Sequence, residues 1–105
     1  MTDLNKFFVQ ISEDAKQMLD AHAVFLDKVS EKAADRLVDS FLEAVDSLKS
    51  MPERCPWYRG NYVPQYLYRY LLFENRYALI FQVEANTVFI DYVIDCRQDY
   101  SWLFR

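Results

Sequence analysis

Between Arg76 and Arg97 the chain reads RYALIFQVEANTVFIDYVIDCR, and this stretch decides the fold. Tyr77 to Glu84 and Thr87 to Cys96 are both rich in β-branched and aromatic residues, and only Ala85-Asn86 separates them. Two β-prone runs with so short a break predict an antiparallel hairpin. Side chains alternate across a strand, so the second run splits into Val88, Ile90, Tyr92, Ile94 and Cys96 against Phe89, Asp91, Val93, Asp95 and Arg97. The first set is expected to face the core. In the first run Tyr77, Leu79, Phe81 and Val83 face inward by the same reasoning, leaving Ala78, Ile80 and Gln82 opposite.

Upstream, Gln65 to Phe73 predicts a third strand, joined to the hairpin through Glu74-Asn75-Arg76; Tyr68, Tyr70 and Leu72 separate there from Leu67, Arg69 and Leu71. Pro52, Pro56, Gly60 and Pro64 make the preceding segment a crossing loop, which also carries Trp57, Tyr58, Arg59 and Tyr62. Before it, two stretches have helical periodicity. Ser12 is a good N-cap, followed by Glu13 and Asp14, and Ala15, Met18, Leu19, His22, Phe25, Leu26 and Val29 recur at helical spacing. Ser30-Glu31 repeats the start signal for a stripe of Ala34, Leu37, Val38, Phe41, Val45 and Leu48, which Pro52 closes. So short a connection makes the pair an antiparallel hairpin. Lys6 to Ile11 predicts a short first strand, and Tyr100, Trp102, Leu103 and Phe104 are expected to fold the tail back.

The fold class is therefore α+β: an N-terminal strand and an antiparallel helical hairpin packed on one face of an antiparallel β-sheet. With 105 residues, all elements share one core, so residues 1–105 are expected to form a single domain. Apolar residues make up 52% of the chain, which excludes a linker or disordered tail. Apolar runs are only a few residues long, as in Ala78 to Phe81, and the N-terminus lacks a basic segment before an apolar stretch. This predicts a cytoplasmic protein without membrane association. Cys55 and Cys96 lack the spacing of a zinc site and are too few for a disulfide framework, so both read as free thiols, and no cofactor is expected. His22 reads as a core-edge residue.

The net charge of −4 is unevenly spread. Residues 1–50 carry ten acids and six bases, five of them Lys, whereas residues 51–105 carry six of each and every base is Arg. Fourteen of the eighteen aromatics also lie in the second half. Arg offers a planar fork suited to carboxylate or phosphate, so a function with an anionic partner is expected there. The helices cover one face of so small a sheet, and the other would present Arg69, Gln82, Asp91, Asp95 and Arg97, with Arg76 at its edge. The plain alternative is an exposed salt-bridge cluster in which Arg69 and Arg97 pair with Asp91 and Asp95.

The order strand, helix, helix, Pro-bearing loop and three strands resembles the RelE/ParE superfamily, the toxins of bacterial type II toxin-antitoxin pairs. The resemblance covers nearly the whole chain. It is carried by Leu48 to Pro52, by Tyr68-Arg69-Tyr70-Leu71 leading to Arg76-Tyr77-Ala78-Leu79-Ile80-Phe81-Gln82-Val83, and by Val93-Ile94-Asp95-Cys96-Arg97. In the ribosome-dependent mRNA endoribonucleases of the superfamily, which work without metal, it implies basic residues on the sheet holding RNA phosphates. Arg69, Arg97 and Tyr100 would then be catalytic, two clamping phosphate and the third in acid/base or stacking work, with Arg76 and Gln82 binding substrate. Two features depart from that pattern. Ala78 stands where those RNases commonly carry arginine after the tyrosine, with Arg76 about 6–7 Å along the same parity. Asp91 and Asp95 would repel phosphate.

Three functions remain open: an mRNA-cleaving toxin, a non-enzymatic toxin of the ParE branch that poisons DNA gyrase by binding, and a non-toxic binding domain that keeps the fold. The resemblance also implies plasmid stabilization as a role and a cognate antitoxin as partner, for which Trp57, Tyr58 and Tyr62 are candidate anchors. Their alternative role is to cap the open end of the core.

Overall fold

The computed structural model describes residues 6–104. Their order is β1 (Phe8–Ile11), α1 (Glu13–Asp27), α2 (Glu31–Ser47), a 3-10 turn (Pro52–Arg54), β2 (Arg69–Phe73), β3 (Tyr77–Glu84), β4 (Thr87–Asp95) and a second 3-10 turn (Ser101–Phe104). The sheet runs β1-β4-β3-β2, with β1 parallel to β4 and the other pairs antiparallel. This is the expected α+β arrangement, with the first strand joining the sheet. The end of the tail at Arg105 lies outside the described residues.

Both helices begin where the capping residues place them. Ser12 Oγ accepts from Ala15 N–H at 3.0 Å, and Ser30 Oγ accepts from Ala33 N–H at 3.2 Å, each satisfying one otherwise orphaned amide. Ser12 does more, because its hydroxyl donates to Asp91 C=O at 2.9 Å and its own N–H donates to Ile90 C=O at 2.9 Å. One residue thus joins the start of α1, the end of β1 and the middle of β4. Arg54 closes α2 from outside, donating to the carbonyl of Ser47 at 3.4 Å and to its Oγ at 3.2 Å, and it holds the following turn through the carbonyls of Ser50 at 2.8 Å and Met51 at 3.0 Å.

Leu37, Phe41 and Leu48 from α2 and Ala15 from α1 pack on Leu79, Phe81, Val88, Ile90 and Val93 of the sheet. The inward set of β3 is as expected. That of β4 is not. Phe81 pairs with Ile90 and Ile80 with Tyr92, so Asp91 is an extra residue opposite the Ile80–Phe81 step, a β-bulge. A single inserted residue shifts the alternation by one. Val88 and Ile90 face the helices before it, but beyond it Val93 does so, while Tyr92 and Ile94 cross to the opposite face. The expectation that Tyr92, Ile94 and Cys96 lie on the helix side is thereby corrected, as is placing Asp95 and Arg97 on the open face, although Ile94 is buried in the cluster of the opposite face.

Three smaller corrections have local causes. β2 starts at Arg69 rather than Gln65 because Tyr66 takes a left-handed φ of 61°, which no strand tolerates. Phe25 and Val29, expected in the core stripe, are exposed at the far end of α1, and Phe25 lines a cleft instead. Trp102 of the tail is also exposed, whereas Leu103 and Phe104 pack on the sheet.

Ser12 is the most connected of the two caps, so Ser12→Ala should lower unfolding free energy by about 1–2 kcal/mol in urea titrations, against about 1 kcal/mol for Ser30→Ala. Equal losses would mean that the bond to the bulge contributes nothing.

Candidate functional site

The predicted site residues fall into three separate neighbourhoods. Arg69 shares the parity of Leu71 and Phe73 and pairs opposite Phe81, so it lies on the helix side of β2, not the open side. Parity alone could not decide this, because β2 is apolar on both sets. Its guanidinium donates to Glu53 C=O at 3.1 Å and Cys55 C=O at 2.7 Å and lies 3.7 Å over the Trp57 ring. Arg69 therefore fastens the crossing loop to the sheet, satisfying two carbonyls while its plane stacks on an indole.

Arg97 and Tyr100 do come together, at the other end of the sheet beside α1. Arg97 grips Asp95 through two bonds, Nε to Oδ1 at 3.0 Å and Nη2 to Oδ2 at 2.8 Å, while its own N–H donates to Oδ1 at 3.0 Å. Asp95 is only 3% exposed. The hydrogen bonds from Arg97 hold its carboxyl below the usual carboxylate range despite burial. Asp95 N–H in turn donates to Tyr100 Oη at 3.4 Å. His22 packs beside this pair, its Nε2 2.9 Å from Val93 C=O and its ring 5.2 Å from that of Tyr77, so it is the core-edge histidine expected of it.

A cleft of about 410 Å³ opens between α1 and the tail, walled by Met18, Phe25 and Trp102 and floored by His22, Tyr77 and Arg97. Burial pushes the phenols of Tyr77 and Tyr100 up, so both keep their protons at neutral pH. The pairing of arginine with aspartate offered as the plain alternative holds for Arg97 and Asp95, with Asp95 buried rather than exposed, whereas Arg69 pairs with neither aspartate.

The open face itself is aromatic rather than charged. Tyr58, Tyr68, Tyr70 and Tyr92 surround Ala78, Ile80 and Ile94, and Phe104 from the tail sits among them with ring centroids 5.9 Å from Tyr58, 5.3 Å from Tyr68 and 5.5 Å from Tyr92. Gln82 is on this face as expected, but its amide is taken by Asp91 Oδ2 at 2.6 Å. Burial raises the Asp91 carboxyl, partly offset by that amide. Arg76 is exposed at the β2–β3 turn, at the same end of the sheet as Arg97, its carbonyl accepting from Cys96 N–H at 2.7 Å.

Of the proposed anchors, Trp57 carries Arg69 and meets Tyr66 edge-on, Tyr58 packs into the open-face cluster, and Tyr62 is exposed with a left-handed φ of 68°. The capping role thus applies to Tyr58, and exposure to Tyr62. Tyr66, which the sequence reading passed over, is equally exposed. Among the described residues no group of His, Cys, Asp and Glu side chains is arranged to hold a metal, and no helix is long and apolar enough to cross a membrane. Cys55 is buried and Cys96 exposed, both free.

Buried Asp95 and half-buried Asp91 should affect acid stability in opposite senses. Asp95, with its pKa depressed in the fold, stabilises above the ordinary carboxylate pKa of about 3.9, and that contribution is lost as pH falls through its lower folded value. Asp91, with its pKa raised, opposes folding at neutral pH, and the penalty is relieved as pH falls through its raised value. Asp95→Asn should therefore be less stable than the parent at pH 7 and converge with it in strong acid. Asp91→Asn should be more stable at pH 7, with the gain disappearing in acid. Thermal melts across pH decide both.

The similarities of the chain agree with this architecture. No curated protein matches the sequence. A solved chain of the chromosomal ParDE TA system from P. aeruginosa is similar in fold, with a TM-score of 0.68 at 18% identity over 87% of this chain and 97% of that one. The family model for the ParE toxin of the type II toxin-antitoxin system, parDE, matches residues 9–100, from β1 to the residue that contacts Asp95. The chain belongs to the ParE toxin family of type II toxin-antitoxin systems.

Proposed function

We propose that the chain is a toxin that acts by binding its target rather than by cutting RNA, with DNA gyrase, the target of the ParE branch, as that target and a cognate antitoxin as its neutralising partner. The observation that carries the reading is the engagement of both expected phosphate clamps inside the fold: Arg69 holds the carbonyls of Glu53 and Cys55, and Arg97 is bound to Asp95. An arginine already paired with a carboxylate offers little net charge to a phosphoryl oxygen. The acid/base role read for Tyr100 is disfavoured as well, because its hydroxyl accepts from Asp95 N–H and its phenol is pushed up by burial. Ala78, where an arginine would be needed, is 1% exposed beneath the aromatic cluster. Without convergent base, acid and cation, RNA cleavage through the 2′-hydroxyl lacks its machinery, whereas inhibition by binding needs only surface.

On this reading the crossing loop supplies contact surface, with Tyr62 and Tyr66 as its protruding rings. The cytoplasm, where gyrase works, is the matching compartment. Purified protein should inhibit supercoiling by gyrase when added in molar excess, and transcripts in a translating extract should stay intact. Normal supercoiling in that excess overturns the proposal, and cut transcripts that disappear with Arg97→Ala would return the function to RNA cleavage. Tyr62→Ala should weaken gyrase inhibition by about ten-fold, the size of an ordinary aromatic anchor.

A further inference from the structure

Two hydroxyls in the cleft between α1 and the tail donate to no group among the described residues. They belong to Tyr77 and Tyr100, which line the cleft and are only 3% and 8% exposed. Tyr100 Oη accepts from Asp95 N–H, but its own O–H has no acceptor, and the Tyr77 hydroxyl makes no hydrogen bond of either kind within the described chain. Both phenols keep their protons at neutral pH, so both are donors. The Tyr77 phenol feels the charges of Asp95, Arg97, Arg76 and Tyr100, three of which line this cleft, and that places its hydroxyl at the cleft floor. Polar groups this far from solvent are ordinarily paired, and these two are not.

His22 adds an acceptor to the same floor. Its Nε2 lies 2.9 Å from the Val93 carbonyl, which can only accept, so that nitrogen carries a proton, and in the neutral ring Nδ1 is left to accept. Charge is balanced beneath these groups. Arg97 is tied to Asp95 through Nε and Nη2, so the floor presents polar atoms without an excess of either sign. A charged ligand entering here would lose its hydration with no counter-charge to replace it. The walls are apolar: Met18 and Phe25 come from α1 and Trp102 from the tail, and the two rings are 63% and 58% exposed. Open rings on the two banks of a cleft gain most by closing on a flat apolar body. The volume of about 410 Å³ falls within the range of roughly 300–1,000 Å³ that small-molecule sites occupy.

We propose that this cleft is a small-molecule site for an uncharged aromatic amide or lactam. The ring of the ligand lies between Phe25 and Trp102, its carbonyl accepts from Tyr77 and Tyr100, and its N–H donates to His22 Nδ1. The apolar walls supply affinity, the three polar contacts set orientation, and the balanced floor rejects the corresponding acid. A molecule held there joins the tail to α1. The site is separate from the crossing-loop tyrosines and stands whichever target the toxin has.

The test is an NMR titration of the isotope-labelled full chain with benzamide as probe and benzoate, its isosteric anion, as control. Benzamide should shift the Met18 methyl and Trp102 indole N–H signals and leave the Trp57 indole N–H in place, with a Kd on the order of 1 mM for so small a ligand. Unmoved signals at about ten times that concentration overturn the proposal. Benzoate binding as tightly as benzamide refutes the selection for an uncharged ligand, and the same shifts on raising protein concentration without benzamide give the cleft to a second copy instead. Tyr77→Phe removes only a hydroxyl that the fold leaves unbonded, so it should melt no lower than the parent yet bind benzamide about five-fold more weakly. A lower melting temperature would show the hydroxyl engaged within the fold, and unchanged affinity would show it idle; either result sinks the proposal. Should that variant fail to fold, Phe25→Ala and Trp102→Ala, both at exposed rings, should each weaken benzamide by about five-fold, and unchanged affinity in both is equally fatal.

Discussion

The extra residue in β4 at Asp91 is the constraint on which the rest of the structure depends. Without it, Tyr92, Ile94 and Cys96 would lie under the helices, and Val93, Asp95 and Arg97 would be spread on the open face. With it, Val93 enters the core, Asp95 is buried beside His22 and Tyr77, and Arg97 follows onto the α1 side. The bulge is held from two directions, by Ser12 Oγ on the Asp91 carbonyl and by Gln82 on its carboxylate. Register in a half-buried strand is strongly specified because a slip by one moves every side chain to the wrong face. Here the slip is built in, and the apolar residues on either side of it suit both faces.

The placement of arginine follows from that geometry. Three of the arginines in the second half serve the fold: Arg54 caps α2, Arg69 fastens the crossing loop, and Arg97 neutralises a buried carboxylate. A guanidinium fork suits all three because each task presents two or more oxygens at once. Among the described residues, the other arginines of the second half are Arg59 and Arg76, both exposed. The open face gives up charge and becomes a tyrosine cluster closed by Phe104.

The crossing loop takes left-handed backbone at residues other than glycine. The chain's one glycine, Gly60, has no positive φ, while Met51, Tyr62, Tyr66, Glu74, Asn75 and Ala85 do. Such backbone is costly for residues with a Cβ and persists where surrounding contacts over-determine it. For Tyr66 one such contact is the edge-on meeting with Trp57, itself stacked under Arg69. Strain and exposure coincide at Tyr62 and Tyr66, which is why the loop is the part of the surface most readily understood as contact area.

The sequence by itself determined the element order, both helix starts, the hairpin turns, the inward set of β3 and the family, because capping residues, helical periodicity and turn residues act locally and are written in adjacent positions. It also marked Gln82 as an open-face residue and His22 as a core-edge one. Only the tertiary structure decided which face Arg69, Asp95 and Arg97 occupy. β2 is apolar on both alternating sets, so pattern could not choose its face; at the end of β4 the alternation of Tyr92, Ile94 and Cys96 with Asp95 and Arg97 did choose, and chose the wrong face, because the bulge at Asp91 leaves no local signature. Its position is set by bonds from Ser12 and Gln82, which the chain brings to it from α1 and β3, and pairing across that distance is information that exists only once the sheet is assembled.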